Sequence, residues 1–333
     1  MTWDGAGLLI VGEQAEIVGG QERVVEALMG HYPAAEALAP RYAPSPGTGG
    51  RRPAGVERIR RPRVPGRRRP LLMPLHAAGT ALASPRAEVV LSVTQSGASA
   101  GARSRGATRH VAYSSGPPAL YSQPRLSLAD ERPLLRPILS AARPALRACH
   151  ARLMRRPDRL IANSAYSASY LNAEYGLAAE VLHPPVRAHF FTPSPRERRH
   201  WLAVGRVVSQ KRFDVLVSAF RRLDAPLVVA GVGAALDRLR AVAPPNVSFV
   251  GFAGDEMLRE LYRSARGLLC PSLETFGLVT AEALACGTPV ITQRAGGALE
   301  IVREGVNGVF LDDLDPDAVV RAVGALEQLA PDP

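Results

Sequence analysis

Residues 272–291 read Ser-Leu-Glu-Thr-Phe-Gly-Leu-Val-Thr-Ala-Glu-Ala-Leu-Ala-Cys-Gly-Thr-Pro-Val-Ile. Before them, residues 267–271 form a short apolar run closed by a proline, which is typical of a buried parallel strand that ends at a loop. Residues 281–285 read Ala-Glu-Ala-Leu-Ala and are mostly strong helix formers, so we predict a helix that ends at the Gly-Thr-Pro stop. The final Val-Ile opens the next strand. The stretch therefore predicts a strand, a loop, a helix and a second strand.

Two glutamates in this unit are candidates for ligand binding. Ligands of open parallel sheets bind at the carboxyl ends of strands, beside the free amides of the following helix, and phosphate suits those amides. Glu274 lies in the predicted loop and Glu282 in the predicted helix. An ionised carboxylate accepts through two oxygens, so the pair is suited to hydroxyls on two parts of one ligand. The alternative is two solvated glutamates beside an ordinary helix, which is the better interpretation of Glu282 taken alone.

The composite pattern is more specific than the two glutamates. Glu274, Phe276-Gly277-Leu278 and Glu282, followed by Ala-Cys-Gly-Thr-Pro-Val, resemble the donor-site motif of retaining GT-B glycosyltransferases of family 4. The resemblance implies that Glu274 holds the sugar and Glu282 the ribose of a nucleotide diphosphate sugar. It also places Phe276, Gly277 and Leu278 in the donor site, with the amides around Gly277 near the diphosphate.

A second loop in this half carries two cations. The apolar run 201–204 leads into Gly205 and Arg206, and Lys211 precedes a helical segment. Surface charge at a turn is one interpretation, but Gly-Arg, four residues and Lys is similar to the diphosphate clamp of the same family. The leaving group would be a diphosphate, so the main catalytic demand is to stabilise negative charge. We therefore predict Arg206, Lys211 and Glu274 as catalytic residues, Gly205 as a binding residue, and no requirement for a metal or other cofactor.

The amino-terminal half matches the family more loosely. Residues 7–11 predict a strand, and Gly19 and Gly20 predict a loop that opens a helix. The run Gly-Gly-Gln-Glu-Arg-Val-Val is similar to the amino-terminal glycine loop of the family, which implies that both glycines face donor phosphate and acceptor. In relatives a later loop often reads Tyr-Cys-His-Thr-Pro, whereas here Ser115 stands at the histidine position. His110 is expected to be a strand residue.

Further along this half, two more polar residues have structural interpretations. Residues 125–156 mix leucine, alanine and arginine with prolines and predict one or two broken amphipathic helices. Ser164 is expected to cap a helix that stops at Gly176. His183 precedes a proline in the segment that leads into the interdomain linker of similar enzymes. We expect neither Ser164 nor His183 to be catalytic.

The basic character of the chain is concentrated in one stretch. The formal net charge is +11, and the excess comes largely from arginines between residues 51 and 69. No nucleic-acid-binding motif accompanies them, so we expect no nucleic-acid partner. Arginine-rich composition with much alanine, glycine and proline is also typical of GC-rich genomes. The functional alternative is peripheral contact with an anionic membrane.

Other features bound the class of protein. No apolar run is long enough to span a bilayer, and the start of the sequence lacks the pattern of a signal peptide, so we expect a cytoplasmic protein, with any membrane contact at the inner face. The three cysteines, Cys149, Cys270 and Cys286, fit no metal-ligand spacing and predict buried reduced thiols.

Alternating strands and helices in both halves predict an α/β fold. With the resemblance, we expect a GT-B architecture of two doubly wound Rossmann-like domains facing across a cleft. Residues 1–190 are expected to form the acceptor-side domain, with an irregular insertion at about 43–70, and residues 198–333 the donor-binding domain. Relatives continue into a helix that crosses back onto the first domain, and we expect that helix to be short or missing.

The resemblance implies a retaining glycosyltransferase. It would move a hexose of mannose or glucose type from a nucleotide diphosphate sugar to a hydroxyl of a glycan or lipid-linked acceptor, in glycan, glycolipid or polysaccharide assembly. The alternative is a non-catalytic GT-B sugar-nucleotide-binding protein that has lost turnover, which Ser115 and the short carboxyl end favour. The base, the sugar, the acceptor and the oligomeric state stay open.

Overall fold

The structure is a computed structural model that describes residues 4–13, 20–39, 59–60, 78, 86–95, 107, 109–129 and 134–329. The chain divides into two compact units, Met1–Pro185 and Val186–Pro333. Each unit is built on a parallel β-sheet with helices packed on it.

The amino-terminal unit contains a parallel sheet. Its described strands are β1 (Leu8–Val11), β2 (Glu36–Leu38), β3 (Ile59–Arg60), β4 (Val89–Thr94), β5 (Arg109–Ser114), β6 (Arg159–Ala162) and β7 (Glu180–Val181). They lie in the order β3-β2-β1-β4-β5-β6-β7, and their pairings are parallel. The described helices are α1 (Gly20–His31), α2 (Ala119–Ser122), α3 (Pro124–Ala129), α4 (Leu135–Met154) and α5 (Ala165–Tyr175).

Both faces of this sheet are buried. Side chains alternate along a strand, so neighbouring residues of β1 enter different cores. Ile10 packs with Met29 of α1, whereas Leu9 packs with Leu38 and Val90 on the other face. The unit therefore has a doubly covered parallel sheet, as the apolar runs predict.

The carboxyl-terminal unit repeats this architecture. Its described strands are β8 (His200–Val204), β9 (Leu227–Ala230), β10 (Val247–Gly251), β11 (Ala265–Cys270), β12 (Val290–Gln293) and β13 (Gly308–Leu311). They lie in the order β10-β9-β8-β11-β12-β13, again with parallel pairings. The described helices are α6 (Phe213–Ala219), α7 (Leu236–Val242), α8 (Asp255–Arg263), α9 (Leu278–Ala285), α10 (Ala298–Ile301) and α11 (Pro316–Leu329).

This second sheet also separates two cores. Trp201 of β8 is fully buried with α6 and α11, and the next residue, Leu202, points to the opposite face and packs with α8 and α9. Strands β8, β11 and β12 lie side by side in the sheet. Parallel strands bring their carboxyl ends to one edge, so the loops that follow β8, β11 and β12 are neighbours.

Most predicted elements are confirmed. The predicted strand, loop, helix and strand of residues 267–291 are β11, its loop, α9 and β12. Ser164 accepts a hydrogen bond from the backbone N–H of Ser167 at 3.1 Å, and Gly176 closes α5 with φ +65°. The helix over residues 135–154 is less broken than predicted, because α4 continues through Pro144. Pro144 is exposed, so solvent can satisfy the carbonyl that loses its N–H partner.

The arginine-rich insertion is described at one place. Residues 43–70 lie outside the described residues except for β3, a two-residue strand that pairs with β2 at the edge of the sheet. The predicted irregular insertion is described only at Ile59 and Arg60, which form β3. A two-residue edge strand needs only backbone pairing on one side, which an apolar pattern does not report. No helix within the described ranges is both long and apolar enough to cross a membrane.

Candidate active site

The loop that follows β11 is the Glu274 loop, residues 271–277. It ends at Gly277, which adopts φ +104°, a conformation that L side chains rarely adopt. Gly277 is the N-cap residue of α9 and, as a glycine, has no side chain with which to cap this helix end. The first amides of α9 are therefore placed as an anion site requires.

Glu274 is held by two side chains. Its Oε1 accepts hydrogen bonds from the Lys211 ammonium and from the Ser272 hydroxyl, the latter at 2.6 Å. About a quarter of each side chain of the ion pair is exposed, 24% for Lys211 and 23% for Glu274. The structure thus brings together two of the predicted catalytic residues, which are 63 positions apart in sequence.

The cation comes from the Lys211 loop, residues 205–212, which follows β8. Gly205 has φ +145° and lies beneath the lysine stem, whose Cε is 3.6 Å from the position a Cβ would occupy. A 3-10 turn over Ser209–Lys211 presents the lysine. Arg206 lies in the same loop and is exposed. Both predicted cations therefore belong to one loop at the edge of the sheet, and Lys211 is the one paired with Glu274.

A glycine loop after β9 supports the Lys211 loop. A Cβ on Gly231 would lie 1.8 Å from the Gly205 carbonyl oxygen, and a Cβ on Gly233 would lie 2.3 Å from the Val207 oxygen. Only glycine permits this approach of two backbones. In the sequence, these residues appear as a lone glycine pair without a dinucleotide fingerprint. The sequence does not report that β8 and β9 are neighbours in the sheet, so this contact could not be predicted from it.

A second glycine pair supports the Glu274 loop in the same way. A Cβ on Gly296 would lie 2.1 Å from the Glu274 carbonyl oxygen, and one on Gly297 would lie 2.4 Å from Cα of Phe276. The Gly297 N–H also donates to the Glu274 carbonyl at 2.9 Å. The loop between β12 and α10 therefore fixes the backbone of the residue whose side chain pairs with Lys211.

The second glutamate of the motif is buried. Glu282 lies on α9 with only 3% of its surface exposed, and its Oε2 accepts from the Tyr262 hydroxyl at 3.2 Å. Phe276 is also buried, and Leu278, the first residue of α9, is half-buried. The predicted ribose role of Glu282 stays a prediction.

The amino-terminal unit contains the other predicted positions. Gly20 is exposed and begins α1, while Gly19 lies outside the described residues. Ser115 follows β5, and within the described ranges its buried hydroxyl has no hydrogen-bond partner. His110 lies in β5, as predicted, with a ring nitrogen 2.9 Å from the Ser92 hydroxyl. Burial lowers the pKa of His110 to about 4 against the opposing effect of Asp158.

A group of buried polar side chains near the carboxyl ends of β1 and β4 was not predicted from the sequence. Glu13, 2% exposed, follows β1 and accepts from the Thr94 hydroxyl at the end of β4 at 2.6 Å. His150 of α4 is 2.9 Å from the Tyr175 hydroxyl, and burial lowers the His150 pKa to about 4 while Glu13 opposes the shift. Glu13 and Thr94 are 81 positions apart, so only the adjacency of β1 and β4 signals this contact.

The described residues contain no group of histidine, cysteine, aspartate and glutamate side chains arranged to hold a metal ion. The three cysteines are free thiols. Cys270 and Cys286 are buried as predicted, and burial raises their pKa to about 12 and about 11. Cys149 is only half-buried because its part of α4 lies near the surface. We assign the cysteines no chemistry.

The fold and the paired loops define a class of protein. Solved GT-B glycosyltransferase structures have the same two parallel-sheet Rossmann-like units. A family model described as Glycosyltransferase Family 4 matches residues 18–190, and one described as Glycosyl transferases group 1 matches residues 198–328. The chain belongs to glycosyltransferase family 4.

Among curated relatives, a D-inositol 3-phosphate glycosyltransferase of Catenulispora acidiphila is 33% identical over 251 residues, which cover 65% of this chain and 60% of the relative. An uncharacterized glycosyltransferase of Methanocaldococcus jannaschii is 36% identical over 132 residues, 37% of this chain and 34% of the relative. The chain thus spans less than two thirds of the length of these relatives.

Solved structures extend the likeness of fold to nearly the whole chain. Anabaena HepE, crystallised with UDP and glucose, superposes with a TM-score of 0.71 and 16% identity, covering 97% of this chain and 90% of HepE. Sucrose-phosphate synthase of Thermosynechococcus elongatus superposes with a TM-score of 0.71 and 20% identity, covering 96% of this chain and 90% of the synthase.

Proposed function

We propose that this protein is a retaining glycosyltransferase that moves a hexose, of mannose or glucose type, from a nucleotide diphosphate sugar to an acceptor hydroxyl in glycan, glycolipid or polysaccharide assembly. The observation that carries the proposal is the pairing of Lys211 with Glu274 beside the uncapped amino end of α9. A cation, a carboxylate and free amides are the groups that a diphosphate and a sugar need. HepE, with a similar fold, was crystallised with UDP and glucose.

Each predicted residue has a distinct role in the proposal. Arg206, Lys211 and the first amides of α9 stabilise the charge that develops on the departing diphosphate. Glu274 accepts from hydroxyls of the transferred sugar, and Glu282 from the ribose. Glu274 need not act as a nucleophile, because the acceptor can attack on the face that the diphosphate leaves. No step needs a metal, so activity should persist in a chelator.

The composition of the chain supports the role of Lys211. The sequence contains 41 lysine and arginine residues, and Lys211 is the only lysine among them. A compositional bias toward arginine would be expected to replace a lysine that served only as surface charge. The ammonium is a compact donor, whereas a guanidinium is a planar fork, so the two cations are not interchangeable at a fitted site.

Thermal stabilisation by nucleoside diphosphates and their hexose derivatives tests the proposal. A ligand present at a hundred times its Kd stabilises the native state by about 2.7 kcal/mol. We expect one base to be preferred and its hexose derivative to be a substrate. Stabilisation without sugar transfer or donor hydrolysis would favour the alternative, a non-catalytic sugar-nucleotide-binding protein. Ser115 in the position of the expected histidine supports that alternative. No stabilisation by any nucleotide would contradict both.

The burial of Glu282 decides which variant tests its role. Glu282→Ala removes the acceptor of the buried Tyr262 hydroxyl, so a loss of binding could come from destabilisation. Glu282→Gln keeps an acceptor oxygen and the side-chain volume, and Tyr262→Phe reports the structural contribution alone. Ribose binding by Glu282 predicts weaker nucleotide binding in Glu282→Gln and unchanged binding in Tyr262→Phe. Equal effects in both variants would argue against it.

The proposed acceptor is a glycan or a lipid-linked molecule, with peripheral contact at an anionic membrane and a cytoplasmic location. Residues 51–69, which suggested this contact, are described only at Ile59 and Arg60. The α4 helix adds support, because Leu134 beside it is 85% exposed and Ile138 on it is 52% exposed. Residues 135–156 contain no acidic residue and six arginines: Arg136, Arg143, Arg147, Arg152, Arg155 and Arg156. An apolar strip with flanking cations suits an anionic lipid interface.

Vesicle sedimentation tests this contact. We expect binding to vesicles with anionic lipid, little binding to neutral ones, and weakening in salt because the attraction is screened. Ile138→Ser should reduce binding, whereas Val306→Ser, which changes another exposed apolar residue in the carboxyl-terminal unit, should not. Equal binding to neutral and anionic vesicles would contradict the proposal.

A further inference from the structure

Both hydrogen bonds to the Glu274 side chain in the described chain end on the same oxygen. Oε1 accepts from the Lys211 ammonium and from the Ser272 hydroxyl, and Oε2 accepts from neither. The carboxylate is about a quarter exposed, with 23% of the side chain accessible. The protein therefore holds Oε1, and neither of these two hydrogen bonds occupies Oε2 of this partly exposed carboxylate.

The two groups that hold Oε1 differ in rigidity. Lys211 reaches it through a flexible four-carbon stem, and in the proposed reaction the same ammonium also serves the diphosphate. Ser272 has a short side chain, follows Pro271 and is only 4% exposed. Water therefore competes little with its hydroxyl for the carboxylate oxygen. Ser272 can therefore hold the carboxylate when the lysine turns toward phosphate.

The backbone of Glu274 is fixed independently. The Gly297 N–H donates to its carbonyl, and Gly296 packs against that oxygen too closely for any side chain. With the backbone held, the remaining freedom of Glu274 is rotation of its side chain. The Ser272 hydroxyl is the neutral donor that limits this rotation.

We propose that Ser272 is a positioning residue for the donor sugar: it holds Oε1 of Glu274 so that Oε2 faces a sugar hydroxyl. The inference rests on the proposed function and adds a residue to the part of the site that recognises the hexose. It separates recognition of the sugar from recognition of the diphosphate. It also explains a lysine at position 211, because an arginine fork would engage both carboxylate oxygens and occupy Oε2.

The test compares two ligands on one variant. Calorimetric affinities are measured for UDP with UDP-glucose, GDP with GDP-mannose and ADP with ADP-glucose, and the pair that binds wild type is used. Ser272→Ala should bind the nucleoside diphosphate within about twofold of wild type and the nucleotide sugar about tenfold more weakly. The donor KM should rise by a similar factor. Ser272→Thr, which keeps the hydroxyl, should recover part of the loss.

Two further variants keep the test decisive. Ser264→Ala is the matched control, because its hydroxyl also donates within this unit, to the Glu260 carbonyl at 2.7 Å, outside both site loops. If Ser272→Ala does not fold, Ser272→Cys has nearly the same size and a weaker donor. Lys211→Arg should keep diphosphate binding and lose the added affinity for the sugar.

The outcomes separate the inference from the proposed function. Equal losses of affinity for the diphosphate and the nucleotide sugar in Ser272→Ala, or no loss for either ligand, would overturn the positioning role. Binding of the same ligands by wild type would still support the proposed function. The same selective loss in Ser264→Ala would also overturn it. If wild type binds none of the six ligands, the proposed function fails, and the inference fails with it.

Discussion

Among the described residues, the two units show different close contacts at the carboxyl ends of their strands. In the carboxyl-terminal unit, glycines press against the backbone of the site loops, Gly231 on Gly205 and Gly297 on Phe276. In the amino-terminal unit, buried polar side chains make the corresponding contacts, such as Thr94 with Glu13. The first arrangement sets the position of main chain, and the second depends on ionisable and hydroxyl groups.

This difference has consequences for ligands and for solvent conditions. A loop held through its backbone leaves its side chains and amides to a ligand, which suits the proposed recognition of a diphosphate and a sugar. A loop held through buried titratable groups becomes sensitive to pH. The carboxyl-terminal unit should therefore be sensitive to added side-chain volume at glycines, and the amino-terminal unit to acid.

The largest effect is expected at Gly231. In Gly231→Ala the new Cβ would meet the Gly205 oxygen at 1.8 Å, with φ at +149°, so the Lys211 loop must move. We expect the free energy of unfolding to fall by about 3 to 5 kcal/mol, together with loss of nucleotide binding. Denaturant titration and calorimetry measure the two effects.

Gly324→Ala is the control for this substitution. Gly324 lies within α11 and has no atom within 4 Å of the new Cβ, so alanine should stabilise the protein by about 0.5 to 1 kcal/mol. Similar stabilities of the two variants would contradict the backbone-contact explanation.

The next effect concerns the cation that the glycine loop supports. Lys211→Ala should lower turnover about a hundredfold or more, since one stabilising group for the developing charge is lost. The protein should stay folded. Steady-state kinetics with the preferred donor measures the change, and near-normal turnover would rule out the clamp role.

Arg266→Ala provides the matched loss of one positive charge in the same unit. Arg266 pairs with Glu327 at 3.6 Å and is partly exposed.

Because Lys211 is the only lysine, an amine-reactive reagent offers a second measurement. Nucleotide should protect that position from labelling, as read by mass spectrometry.

The smallest effect is the acid sensitivity of the amino-terminal unit. Burial lowers the pKa of His110 and His150 to about 4, so both side chains stay neutral in the folded unit, whereas in the unfolded chain they take up protons below about pH 6.5. Stability should fall as the pH drops from about 6.5 to about 4. Between pH 7 and 5 the loss is at most about 2 kcal/mol for each histidine.

Hydrogen exchange with mass spectrometry in denaturant, at pH 7, 6 and 5, resolves the two units. His150→Gln should remove part of the pH dependence in the amino-terminal unit. His200 in the other unit has a pKa lowered by burial, so that unit should show the same trend with one histidine fewer. A larger acid effect in the carboxyl-terminal unit would contradict the comparison.

The sequence predicted the Glu274 loop because its determinants are contiguous. An apolar strand closed by a proline, a run of helix formers and a Gly-Thr-Pro stop lie within about 25 residues, and each has a local physical cause. The left-handed conformation of Gly277 before the helix was not predicted. The contact of Gly231 with Gly205 and the bond of Thr94 to Glu13 depend on which strands are neighbours, and local patterns do not report strand order. The burial of Glu282 was also missed, because its hydroxyl partner lies on a different helix.

The packing of Gly296 and Gly297 on the Glu274 loop bears on how donor preference is engineered. Substitutions at these two glycines would displace the main chain of Glu274, whereas Leu273 and Thr275 are only half-buried. Under the proposed function, a library that randomises Leu273 and Thr275 and leaves both glycines unchanged should sample new sugar contacts without displacing the main chain of Glu274. Under the proposed function, sugar contacts would vary on the Glu274 loop while the glycines of the loop between β12 and α10 keep its main chain in place.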